Sequence, residues 1–161
     1  NRIMRLPRST SKLLYSLQHS PLVRVGGTQI SPPPAPLISL VQVDGSYRPR
    51  TKTAAVAFYM ITPQGSILSQ SIPVEAQSST EAEWFAVFFG LKSALENGYK
   101  DLHLQNDCLS IIQAFLPNAN PPRPTYAKYF KTKIQTHSNE ANWVGISWIP
   151  RELNRADAVL V

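Results

Sequence analysis

The sequence predicts an α/β domain: a five-stranded mixed sheet with helices on both faces, in the order βββ-α-β-α-α-β-α. Three observations point to it. Three β-branched apolar runs follow one another across short turns, the pattern of an antiparallel meander. After them, helical and strand periodicities alternate, which calls for strand–helix–strand crossovers and parallel pairing. The proline-rich stretch "TQISPPPAP" separates these elements from a basic first segment and cannot join a helix.

The elements justify themselves in order. "LISLVQV" is short, apolar and β-branched, a buried strand, and "DGSYRPRTK" turns it back with three basic residues. "TAAVAFYMIT" and "SILSQSIPV" are the second and third strands, joined through "PQG". "STEAEWFAVFFGLKSALENG" is a helix, with Thr80 as its expected N-cap, Glu83 as the capping-box partner and Gly98 as its stop. "DLHLQND" alternates polar and apolar residues, a fourth strand, and "CLSIIQAF" is a short helix. "LPNANPPRP" breaks the chain, "TYAKYFKTKIQTHS" is a basic amphipathic helix, and "NWVGISWI" is the fifth strand. "NRADAVLV" begins a last helix of about one turn, too short to stand without packing.

Composition bounds the function. The 161 residues suffice for one domain with a real core, and 43% hydrophobic with 16% charged residues is a globular balance. No apolar run is long enough to span a bilayer, so no membrane partner is expected. A single cysteine, Cys108, excludes an internal disulfide and a cysteine-based zinc cluster. The net charge of +6 is uneven. Residues 1–43 carry Arg2, Arg5, Arg8, Lys12 and Arg24 without one acid, whereas the rest is nearly neutral. We therefore divide the chain into an arm, residues 1–36, and a domain, residues 37–161. The arm has the Arg- and Ser-rich composition of a mitochondrial or, alternatively, plastid transit peptide, and equally that of an anchor on RNA or on a large ribonucleoprotein, with Arg2, Arg5 and Arg8 as phosphate contacts.

Four acids fall at the ends of predicted elements: Asp44 after the first strand, Glu83 in the first turn of the long helix, Asp107 after the fourth strand and Asp157 at the last helix. Taken singly, each has a bland explanation: a turn, a cap, a solvated strand face, a helix-dipole charge. Were the strands central neighbours, their carboxyl ends would converge, and a cluster of hard oxygen ligands there suits Mg²⁺. Two such ions about 4 Å apart serve phosphodiester hydrolysis.

In order and context these segments resemble type 1 ribonuclease H, from about Leu37 to Val161. "VDGSY" is similar to that family's first-strand Asp-Gly-Ser, "STEAEWFAVFFGLKSAL" to its first helix, "LHLQNDCLSII" to its fourth strand, and "WIPRELNRAD" to its closing Arg-Glu-x-Asn-to-Asp segment. The resemblance implies the ribonuclease H fold and Mg²⁺-dependent cleavage of the RNA strand of RNA–DNA hybrids, with Mn²⁺ as a substitute. It implies Asp44 bridging two ions, Glu83 and Asp107 holding one, and Asp157 the other. It further implies nucleic-acid contacts from Ser46, Ser79 and Thr80, with Arg48, Arg50, Lys52, Lys128, Lys131 and Lys133 following the backbone.

The match departs in places. Trp148 stands where the family often has a mobile His, and "LPNANPPRPTY" replaces a basic protrusion. Asn154 and Asp157 are one residue closer than usual, which on an α-helix turns the carboxylate by about 100°. The alternative expectation is therefore a non-catalytic, RNA-binding subunit of an organellar ribonucleoprotein such as the mitochondrial ribosome. A reverse-transcriptase remnant would share the core but gives no reason for the arm.

Overall fold

Six strands form the sheet, and their order is set by where the buried apolar runs pair. A computed structural model of the chain describes residues 22–161; Arg2, Arg5 and Arg8 lie outside them. Among the described residues the elements are β1 (Val23–Gly26), β2 (Ser39–Arg48), β3 (Thr53–Ile61), β4 (Ile67–Val74), α1 (Ser79–Glu96), β5 (Asp101–Asn106), α2 (Leu109–Ala114), α3 (Thr125–Ser138) and β6 (Trp143–Trp148). Short 3₁₀ turns cover Ala35–Leu37, Arg151–Leu153 and Arg155–Ala158.

The sheet order is β1-β6-β5-β2-β3-β4. The meander β2-β3-β4 is antiparallel, β5 pairs parallel with both β2 and β6, and β1 closes the far edge antiparallel to β6. The predicted mixed sheet is present with six strands rather than five. The extra strand, "VRVG", comes from the segment assigned by charge to the arm. Four residues with an Arg among them give too short an alternation to read locally; Val23 and Val25 become buried because β6 lies beside the strand and α3 packs against it.

Pleating sorts the residues. Val41 and Val43 of β2 face α1, so closely that a Cβ on Gly90 would lie 2.3 Å from a Val43 methyl. Leu102 and Leu104 of β5, Ile146 of β6 and Leu91 of α1 are fully buried in the same core. Phe130 of α3 stacks against Phe85 of α1, 5.1 Å between ring centres, which ties the second long helix to the first. The other face of the sheet carries Gln42, His103, Gln105 and Ser147. Among the described residues, the 3₁₀ turns after β6 cover it around Gln42. That face is not simply solvated. His103 and Ser147 hydrogen-bond at 2.7 Å, and burial lowers the His103 pKa, favouring neutral imidazole.

The long helix starts two residues earlier than Thr80 suggests. Ser78 is the N-cap, accepting from the Glu81 amide at 3.1 Å, and Glu81 reaches back to the Gln77 amide at 2.8 Å. The capping box is thus Ser78 with Glu81, and Glu83 is released from that duty. Both Ser78 and Thr80 satisfy a capping pattern locally; the approach of α1 to β2 selects the earlier one. Gly98 ends the helix at φ +87°, as expected.

Candidate active site

The parallel strands β2, β5 and β6 end on one side of the sheet, and the acids gather there. Asp44 lies on β2, Asp107 follows the last residue of β5, and Glu83 hangs from the first turns of α1. One carboxylate oxygen from each of the three lies within 4.8 Å of the others. Gly45 makes this possible: its missing side chain lets the α1 backbone at Ala82 approach β2, and its amide donates to Glu83 Oε1 at 2.6 Å.

Asp157 borders the same cavity of about 430 Å³, with Asp44, Glu83 and Asp107 on its walls. The shortened Asn154–Asp157 spacing does not turn it away. The segment is a 3₁₀ turn, not the expected α-helix, and Asp157 N donates to Asn154 O at 3.2 Å. In that tighter turn residues three apart eclipse one another, so the missing residue is absorbed.

Amide side chains that sequence reading left unassigned hold this arrangement. The Val43 carbonyl, adjacent to Asp44, accepts from Asn106 Nδ2 at 3.1 Å and Asn154 Nδ2 at 2.8 Å. Asn106 Oδ1 takes the Cys108 amide and Asn154 Oδ1 the Ala156 amide, so each Asn fixes the chain beside an acid. Gln42 donates to the Leu153 carbonyl and accepts from the Arg155 amide, pinning the closing segment across the sheet. The "ND" pair and the Asn of "LNRAD" were visible, but their partners are 63 and 111 residues away. Asn154→Ala removes two buried hydrogen bonds; we expect a loss of about 1–2 kcal/mol in unfolding free energy. If Asp157 takes part in the chemistry, kcat falls as well, and an unchanged melting curve would show that the bonds do not anchor the segment.

Electrostatics follow from crowding. Burial, and then the Asp107 charge, push the Asp44 carboxyl up to about 7; its hydrogen bond with Glu83 opposes the shift and Asp157 adds to it. Glu83 is raised further, first by burial and then by the charges of Asp44 and Asp107, against the pull of the Gly45 amide. The group therefore retains protons at neutral pH in the absence of a cation. Three crowded, partly desolvated carboxylates with hard oxygen donors fit a divalent cation, and no soft ligand is among them.

The other predicted contacts divide. Ser46 and Ser79 line the acidic cavity, and Thr80 lines a neighbouring one of about 850 Å³ with Trp84 and Tyr126. Arg48, Arg50 and Lys52 sit exposed at the β2–β3 turn, on the same side of the sheet. Lys128, Lys131 and Lys133 lie on α3 and do not line the acidic cavity; Lys133 rests over the rings of Phe88 and Tyr129, at 4.9 and 5.3 Å. Arg151 also lines the acidic cavity, 4.0 Å from Asp157, and sequence reading passed over it. Trp148, in the place of the family's His, donates its indole N–H to the Asp107 carbonyl at 3.0 Å.

With this geometry in view, comparison with known proteins is informative. A model of a family described as reverse transcriptase-like matches residues 42–161. No curated protein matches the chain. Among solved structures, RNase H1 from the halophilic archaeon Halobacterium salinarum is similar at TM-score 0.66 and 22% identity, over 76% of this chain and 93% of that one. LC11-RNase H1, isolated from compost by a metagenomic approach, is similar at TM-score 0.65 and 20% identity, over 76% and 92%. The same LC11 enzyme in complex with an RNA/DNA hybrid is similar at TM-score 0.62 and 21% identity, over 75% and 92%. At these identities the likeness shows the fold, which is ribonuclease H-like.

Proposed function

Because the chain belongs to the reverse transcriptase-like family, we propose that it is a divalent-metal-dependent endonuclease that hydrolyses the RNA strand of RNA–DNA hybrids. The observation that carries this reading is the convergence of Asp44, Glu83 and Asp107 within 4.8 Å, with Asp157 on the same cavity. The hybrid-bound RNase H structure of the same fold supports the substrate class.

Asp44, Glu83, Asp107 and Asp157 are the residues to hold Mg²⁺, two ions by analogy with the fold, or Mn²⁺ in its place. Bound there, the metal supplies Lewis acidity and lowers the pKa of a water. The chain's own groups do the rest. Gly45 and Asn106 orient Glu83, through the amide at 2.6 Å and Nδ2 at 3.5 Å. The Val43 carbonyl, held by two Asn side chains, keeps the Asp44 backbone still. Ser46 and Ser79 offer hydroxyls at the cavity wall to phosphate or 2′-OH, the group that separates RNA from DNA. Arg151 places a positive charge where phosphate oxygens pass.

The test is cleavage of a labelled RNA–DNA hybrid with Mg²⁺, beside the same sequence as DNA duplex and as single-stranded RNA. Hybrid-selective cleavage supports the reading. A folded protein that cleaves no more than metal-free buffer sinks it and favours the non-catalytic RNA-binding alternative.

The raised carboxyls set a pH dependence. Their folded pKa values lie above the unfolded ones, so their protonated forms contribute stability that is fully present below about pH 4; the Asp44 share is lost as pH rises through about 7 and the Glu83 share through about 10. The metal-free protein should melt lower at pH 8 than at pH 5.5. Mg²⁺ should raise the melting temperature more at pH 8, because binding there displaces fewer protons. Scanning calorimetry with and without the ion checks both signs; equal metal effects at the two pH values would contradict the site.

A further inference from the structure

Strand β4 is an edge of the sheet. β3 pairs along one side of it, and among the described residues no strand pairs along the other. Alternate N–H and C=O groups of such a strand point outward, a template for one more strand. Edges are ordinarily blunted by brevity, charge, a bulge or proline. β4 is eight residues long, "ILSQSIPV", and carries no charged side chain. Its ladder with β3 runs from Val74 to Ile67 without a shift of register, so no bulge turns it aside. Pro73, near one end, is its one protective feature and removes a single donor.

The middle of the strand is symmetric in sequence. Leu68-Ser69-Gln70-Ser71-Ile72 is apolar–Ser–Gln–Ser–apolar from either end. An identical antiparallel strand centred on Gln70 sets Gln70 against Gln70, Ser69 against Ser71 and Leu68 against Ile72. Every pair is like with like, and no charges of one sign meet. The faces agree as well. Gln70 pairs with Phe58 and Phe58 with Val43, the residue that faces α1, so Leu68, Gln70, Ile72 and Val74 lie on the α1 side. Leu68, Ile72 and Val74 pack there against the core yet remain half-buried. Phe89 of α1, also half-buried, stacks on Phe58 at 5.4 Å between ring centres. A two-fold axis normal to the sheet keeps both α1 helices on one side, so a second copy continues this apolar row. On the opposite face the Ser71 hydroxyl accepts the Val161 amide at 3.3 Å, a side-chain contact that leaves the main-chain edge open.

We propose that β4 pairs with β4 of a second copy of this chain, antiparallel about Gln70, and joins the two six-stranded sheets into one. Strands of this length bury about 1,000 Å² in total, the lower end of specific interfaces, so the dimer is reversible and concentration-dependent. The two acidic cavities open toward opposite ends of the joined sheet. Five strand spacings, about 24 Å, separate the two strands that carry Asp44. Each cavity stays complete within its own chain, and the pairing stands apart from the nuclease reading.

The test is the mass of the full chain by light scattering and sedimentation over a wide concentration range, beside Gln70→Lys and Gln70→Glu. Gln70 is exposed and does not line the acidic cavity. Each variant sets like charges together on the two-fold axis. The native chain should move from one chain mass toward two. Each variant alone should dimerise with a Kd about tenfold higher or more, and an equal mixture should recover the dimer, because Lys then meets Glu. Equal melting curves for the dilute native and variant chains show that pairing, not folding, is lost. Oxidation should link Gln70→Cys chains to each other and leave Ser71→Cys chains, whose partner residue is Ser69, unlinked like the native chain. A native chain that stays single at every concentration overturns the proposal. So do variants that dimerise alone as the native chain does, or that stay apart when mixed.

Discussion

Asp44→Asn should abolish hybrid cleavage while making the metal-free protein more stable. Loss of activity follows from position. Asp44 is 5% exposed, within 4.8 Å of Glu83 and Asp107, and on the wall of the same cavity as Asp157. Removing a carboxylate that the other acids surround should lower kcat by about 10³-fold or more, equivalent to about 4 kcal/mol of transition-state stabilisation. The gain in stability follows from the same crowding. Burial and the Asp107 charge oppose ionisation of Asp44, so at pH 8 a neutral amide relieves repulsion. We expect about 1–3 kcal/mol, most at pH 8 and vanishing near pH 4, where the carboxyl is already protonated. Mg²⁺ should stabilise the native chain and hardly affect the variant. Retained cleavage would remove Asp44 from the chemistry; a variant less stable at pH 8 would mean that its carboxylate is structural.

Gly45→Ala should cost about 2–4 kcal/mol of stability and silence the site. A Cβ at residue 45 would lie 2.3 Å from the Ala82 carbonyl oxygen, 2.4 Å from its carbon and 2.8 Å from the Glu83 nitrogen. These are backbone atoms of a capped helix, with no rotamer to give way. Helix α1 must move off β2, lengthening the Gly45–Glu83 hydrogen bond and separating Glu83 from Asp44. Melting should fall by roughly 4–16 °C, with weaker Mg²⁺ binding and cleavage near the Asp44→Asn level. Serine is expected to behave like alanine, since the collision is with the Cβ. A variant with native melting and native cleavage would show that the close approach is dispensable.

The four acids were legible because each falls in a short local pattern and the patterns come in order, although Asp44 lies inside β2 rather than after it, because pairing with β3 carries that strand on to Arg48. The same holds for the meander, the long helix with its Gly98 stop and the order of the later elements. Where one local pattern admitted two answers, sequence reading took the wrong one: Ser78 rather than Thr80 caps α1, and the closing segment is 3₁₀ rather than α-helical. The short α-turn expected there would have misdirected Asp157. The 3₁₀ turn is selected by Gln42 and by the Val43 carbonyl, groups more than 100 residues away.

By itself the sequence determined which residues bear charge, which runs are apolar and in what order strands and helices come, since periodicity and capping are properties of neighbours along the chain. Only the tertiary structure decided that "VRVG" is a sixth strand, that four carboxylates share one cavity, and that Asn106 and Asn154 meet at one carbonyl. Those outcomes depend on strand pairing and helix docking between segments far apart in sequence. Burial there also raises the pKa values of Asp44 and Glu83, and desolvation is a property of the folded surroundings, not of the residue.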